Sequence, residues 1–169
     1  GGLKFLESAH VKDALAVLRI ADNPRDEVSW FRVLQLLDHV GPAGARRVMA
    51  AIGVSAPGDP MTRFLDQPIA VPAPARAELE GLREAFGDLA VENAPPPAQV
   101  ERVRRFLEPL LRRRYDQPEP RLRDLEAQQV EAFAQREGAD VVQRGRQQQV
   151  RLLRQGEVEP PRDGPRDPS

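Results

Sequence analysis

The stretch with the most chemical content is LLDHVGPAGARRVMAAI, residues 36–52. Gly41 and Gly44 carry no side chain to hold a partner away, so the backbone can approach it closely. A helix starting at Pro42 directs free N–H groups outward around Val40, Gly41, Ala43, Gly44 and Ala45, where an anionic oxygen can accept them. Arg46 and Arg47 then add fixed positive charge beside the same place. Such a set binds phosphate without reading bases, and no residue of the chain is assigned a catalytic role.

The layout is helix, tight glycine turn, helix, with Ala45, Arg46 and Arg47 following. It is the layout of a helix-hairpin-helix, a small reader of the DNA backbone. The usual hairpin reads Gly-hydrophobic-Gly, whereas here His39 precedes Val40 and Gly41. A non-glycine resists the positive φ of such a turn, and His39 is therefore expected to loosen or reshape it. An ordinary helix–helix turn with exposed arginines accounts for the same residues. On this stretch alone both readings stay open.

Other candidate chemistry is thin. Asp22, Asp26 and Glu27 cluster near a loop, where helix capping and a solvated face explain them better than catalysis. Arg102, Arg104, Arg105, Arg112, Arg113 and Arg114 form a second basic group, but Glu101, Glu108 and Asp116 lie among them and favour internal salt bridging. Tyr115 has a face that could stack on a base, though a tyrosine beside a helix end more often packs. There is no cysteine, which excludes disulfides and thiolate metal sites. With only His10 and His39 as imidazoles, zinc would have to recruit carboxylates at spacings that carry no metal signature. No G-x-x-x-x-G-K-[ST] phosphate cradle precedes either lysine, Lys4 or Lys12, so the chain alone is expected to bind no ATP and to hydrolyse none.

The elements that position these residues read as helices throughout. One is expected to start near Ser8, with Val11, Ala14, Leu15 and Leu18 on one face and Asn23-Pro24 as its break. Asp26 should cap a second, with the stripe Trp30, Val33, Leu34 and Leu37. Pro42 suits the first position of a third, whose inner face is Ala45, Val48, Met49 and Ile52. Proline and glycine punctuate residues 53–74, leaving room for a short helical turn at Thr62–Asp66. Leu79, Leu82, Phe86 and Leu89 mark a further helix. After Pro95-Pro96-Pro97 comes another, carrying Val100, Val103, Phe106, Leu107, Leu110 and Leu111, which Pro109 is expected to kink or end. A last one starts after Pro120 with Leu122 and Leu125, and Val130 and Phe133 extend its pattern. The fold class is all-α.

At 169 residues there is room for one ordinary domain with a core. Seventeen prolines and a mean hydropathy of −0.52 indicate substantial loop or tail beside it. Beyond Gly138 the composition turns to Gln, Arg, Gly and Pro, which predicts a disordered segment. A net charge of −1 gives no global attraction to nucleic acid or membrane, so any such binding must be local. No apolar run is long enough to span a bilayer, and the start does not read as a secretory signal.

Taken in order, GGLKF, HVKDALAVLR, NPRDEVSWFRVLQLL and VGPAGARRV resemble the UvrD/Rep/PcrA superfamily I DNA helicases, and RRRYDQPEPRLRDLE resembles a later stretch of that family. The matching positions are Gly1, Gly2 and Phe5; Val11, Lys12 and Asp13; Leu18 and Arg19; then Asn23, Pro24 and Asp26 before the hairpin. The resemblance covers residues 1–127 and is specific over the first fifty. It implies that residues 1–22 end motor subdomain 2A, that residues 23–136 are most of the helical, duplex-contacting 2B subdomain, and that residues 137–169 are a disordered or aberrant tail. It further implies a longer, cytoplasmic, nucleoid-associated ATP-dependent helicase moving 3′ to 5′. In that parent, ATP and Mg²⁺ are bound elsewhere, single-stranded DNA is held by the motor, and this part touches duplex through Val40, Gly41, Ala43, Gly44, Ala45, Arg46 and Arg47. The remainder of the polypeptide is its partner, and no membrane is. Ser8, His10 and His39 depart from the family pattern, and the next motor motif is not visible. A free-standing helical DNA-backbone binder and a helical protein-interaction domain are the competing readings.

Overall fold

The computed structural model describes residues 8–90 and 95–126. Its elements are α1 (Ala9–Asp22), α2 (Glu27–Leu34), α3 (Pro42–Ile52), α4 (Pro60–Asp66), a 3-10 turn at Ala73–Ala75, α5 (Arg76–Ala90), α6 (Pro96–Arg114) and α7 (Glu119–Asp124). The all-α class is observed, with no strand among the described residues. Gly1 to Phe5, Val130, Phe133 and residues 137–169 lie outside the described residues, so the expectations placed on them are not addressed by the fold.

The helix boundaries follow local chemistry. The Asp26 carboxylate accepts the Ser29 N–H at 2.9 Å and starts α2. Asp59 does the same for α4, accepting from Met61 N–H at 3.0 Å and Thr62 N–H at 3.2 Å. Ser8 stands at the N-cap of α1, but its side chain makes no capping bond; its carbonyl accepts the Lys12 N–H at 3.1 Å. Gly53, left-handed at φ 65°, ends α3 in a Schellman turn, with its own N–H on the Ala50 carbonyl and the Val54 N–H on that of Met49.

Pro109 does not end α6, which continues to Arg114. The ring removes one backbone bond, a cost of about 3 kcal/mol in a helix interior. Leu107, Leu110 and Leu111 are buried on either side of it while Pro109 itself faces solvent, and that packing carries the helix through.

The core centres on three rings from three helices. Trp30, Phe64 and Phe86 are at most 1% exposed, with centroids 5.0, 5.5 and 5.7 Å apart. The Trp30 indole N–H also donates to the Pro24 carbonyl at 2.8 Å, fixing the α1–α2 corner. Phe64 is what fastens α4, which is too short to persist by propensity. Helix α1 packs on α2 and α6, and α2 on α3, so residues 9–22 share one core with the later helices. Polar contacts reinforce that seam: Arg32 Nε donates to Asp13 at 2.7 Å, and His10 Nε2 meets Asp124 at 2.8 Å.

The loop between α3 and α4 is shaped by arginines. Arg63 donates to the carbonyls of Ile52 and Pro57, and Arg25 to those of Ala56 and Gly58. Gly53 and Gly58 both have positive φ, and a methyl group on either would displace the Arg63 guanidinium from its carbonyls.

Candidate nucleic-acid interface

Helix α2 stops at Leu34 and the chain tightens at once. Leu36 and Leu37 donate to the Val33 and Leu34 carbonyls, and Val40 N–H donates to Leu37 at 3.1 Å. Leu37 and Val40 are buried at 2% and 6% exposure and pin the turn from both sides. Between them His39 takes φ 58°. The expectation that a side chain there resists positive φ is overturned: His39 adopts the left-handed conformation a glycine would supply. Its imidazole Nδ1 lies 3.0 Å from Asp38 Oδ1 and its side chain is 69% exposed.

The expected contact residues then separate into two groups. Val40 and Ala45 spend their amides internally, Ala45 on the Gly41 carbonyl at 2.9 Å, and both side chains are buried. They hold the turn in shape and cannot themselves donate to a ligand. The amides of Gly41, Ala43 and Gly44 have no backbone acceptor among the described residues and sit at the start of α3, where the helix dipole favours negative charge. Gly44 packs closely on the turn, where a Cβ would stand 3.3 Å from the Val40 side chain and require it to shift. Gly41 is extended and its Cβ position is open.

Arg46 and Arg47 are exposed and have no carboxylate partner among the described residues. Arg46 lies over the Phe31 ring, 5.1 Å from its centroid, which orients the side chain while leaving its charge unspent. Arg47 borders a concave pocket of about 290 Å³ between the turn and the Ala70–Pro72 segment. Three amides at a helix start, with two guanidinium groups that have no acid partner among the described residues, can hold an anionic oxygen.

The second basic group behaves differently. Arg104 pairs with Glu101 at 3.0 Å and Glu108 at 3.4 Å, and Arg112 with Glu108 at 2.9 Å and Glu119 at 3.2 Å. Hydrogen bonds to these carboxylates raise both arginines above their ordinary pKa. Arg102 donates to the Asp88 carbonyl at 2.7 Å. Arg113 meets Glu78 at 2.8 Å and Asp38 at 3.3 Å. Arg105 and Arg114 form no ion pair among the described residues, though Arg114 lies near the Asp13 carboxylate. Tyr115 is half-buried, and the Arg121 guanidinium covers one face of its ring at 3.8 Å. Of the loop carboxylates, Asp26 caps α2 and Glu27 accepts from the Ser55 hydroxyl.

Sequence reasoning missed the contacts behind the turn. Glu78 Oε2 accepts the Asp38 N–H at 2.6 Å, and Arg113 also donates to the Leu36 carbonyl at 3.2 Å. In the sequence Arg113 is one arginine in a run of three, and nothing local marks it out. Among the described residues no group of His, Asp and Glu is placed to hold a metal ion, and no helix is long and apolar enough to cross a membrane. Comparison with protein-family models, with curated proteins and with solved structures found no match.

Proposed function

We propose that this chain is the duplex-contacting helical part of an ATP-dependent 3′-to-5′ DNA helicase of the UvrD/Rep/PcrA kind. Its local task is to hold the DNA backbone and so govern the motor, whose ATP and Mg²⁺ chemistry lies in other residues of the parent. The observation that carries the DNA contact is the turn at His39–Gly41. It combines a left-handed residue, a buried Val40, unspent amides at Gly41, Ala43 and Gly44, and two arginines without acid partners among the described residues. Phosphate oxygens accept from those amides while Arg46 and Arg47 neutralise charge, which fixes register and reads no sequence. The helicase assignment is supported by the ordered sequence resemblance over residues 1–127.

A second reading, a free-standing helical backbone binder, is favoured by the single core that α1 shares with the other helices. Both readings require duplex affinity. The test is a titration of a short fluorescent duplex with the full chain between about 50 and 200 mM salt. The expected result is weak binding that falls steeply with salt. No binding at the low end sinks both readings and leaves a protein-interaction domain. Duplex unwinding by the parent polypeptide, with ATP, then separates the first from the second.

A further inference from the structure

We infer that Arg113 and Glu78 are positioning residues for the His39 turn, and that they offset the cost of placing a side chain where the hairpin would ordinarily have glycine. A left-handed residue other than glycine is disfavoured by about 1–2 kcal/mol. Here that residue is braced from two distant helices. The Asp38 N–H, just before His39, is held by Glu78 of α5, and the Asp38 carboxylate and Leu36 carbonyl are held by Arg113 of α6. Glu78 and Arg113 are themselves paired, so the brace is one connected unit. The fixed Asp38 carboxylate in turn takes the His39 imidazole. The approach to residue 39 is thus tied at three polar groups to helices outside the turn, while buried Leu37 and Val40 fix its two flanks.

A glycine at 39 needs no such support, because its left-handed conformation is free of the Cβ clash. The importance of Arg113 therefore depends on what stands at 39, and a generally structural arginine would show no such dependence. The effect on DNA rests on the proposed phosphate contact; the effect on the turn does not.

The experiment is a double-variant cycle in the full chain: unchanged, His39→Gly, Arg113→Ala and both together, each titrated with a fluorescent duplex. Arg113→Ala is expected to weaken binding about five- to tenfold with His39 present, and less than about twofold with glycine there. Equal weakening in both backgrounds, or none in either, overturns the inference. Backbone couplings and chemical shifts of residue 39 give a second arm that needs no DNA. Arg113→Ala should shift His39 away from positive φ, and a His39 that stays left-handed without Arg113 also overturns it. If the unchanged chain does not bind duplex yet His39 loses its conformation in the variant, the DNA reading fails and the brace stands. Glu78→Gln removes the ion pair but keeps an acceptor for the Asp38 N–H, so it should show a smaller loss with the same dependence on residue 39. It carries the cycle if circular dichroism shows Arg113→Ala unfolded.

Discussion

The start of α3 and the body of α6 are both rich in arginine, and they use it in opposite ways. On α6, Arg104 and Arg112 are each shared between two glutamates, at three- and four-residue spacing or across to α7. Their charge is neutralised where it stands. On α3, Arg46 lies on an aromatic ring and Arg47 on the edge of a pocket, with no acid beside either among the described residues. A count of basic residues would rank α6 as the stronger nucleic-acid candidate. Charge left unpaired, and placed next to free amides, ranks α3 first.

The largest expected effect tests that ranking directly. Arg46→Ala with Arg47→Ala should weaken duplex binding by about tenfold or more at low salt and lower the slope of log affinity against log salt by about 2. If Arg104→Ala with Arg112→Ala gives an equal loss, the distinction between spent and unspent charge is wrong.

Next comes the pair that lies deepest. Asp13 is 5% exposed and bonded to Arg32, so Arg32→Met removes the hydrogen-bonded partner of a buried carboxylate, leaving it the more distant charge of Arg114, and should cost about 2 kcal/mol in urea unfolding at neutral pH. Burial raises the pKa of Asp13, and the hydrogen bond and charge of Arg32 pull it part of the way back. A raised carboxylate binds its proton more tightly folded than unfolded, so the ionised group is a burden at neutral pH that lifts as pH falls. The deficit of the variant should therefore shrink on acidification through the Asp13 pKa.

A carboxylate held mainly by hydrogen bonds at a helix start shows the opposite trend. Asp59→Ala should cost about 1 kcal/mol at neutral pH through loss of the α4 cap. At Asp59 partial burial is outweighed by bonds from Thr62 and the Met61 N–H, which hold its pKa below the ordinary value. Its contribution is present above the unfolded pKa and is lost as pH falls through the folded one. A cost that grows in acid would contradict this assignment.

The smallest effect completes the comparison. Arg104→Ala should change stability by about 0.5 kcal/mol or less, and Arg112→Ala should leave the unfolding midpoint essentially in place, with added salt reducing both effects. Chemical denaturation at two salt concentrations measures it.

Helical periodicity located most of the fold. The stripe Trp30, Val33, Leu34 and Leu37 is buried as its spacing indicates, and Asp26 caps where its residue type suits. What failed was local reasoning about residues whose conformation is decided at a distance. Proline preference predicts a kink or an end to α6 at Pro109; the helix does not end there, and leucines packed against other helices carry it on. The resistance of a histidine to positive φ loosened the turn, where Glu78 and Arg113 supply what His39 lacks. The candidate site was half legible. Its arginines and glycines could be named from order and spacing, but Val40 and Ala45 spend their amides inside because the fold of the turn, which no local pattern states, brings the Leu37 and Gly41 carbonyls to them.

The loop between α3 and α4 has a consequence for how this sequence can drift. One guanidinium, that of Arg63, occupies the space that side chains at Gly53 and Gly58 would claim, and it bonds the carbonyls between which those glycines turn. Two loop positions and one on α4 thus form a single unit of inheritance. A larger residue at 53 or 58 discards the arginine's purpose, and loss of the arginine leaves two glycines with nothing to wrap. Related chains, compared with this one, should keep Gly53, Gly58 and Arg63 together or replace them together.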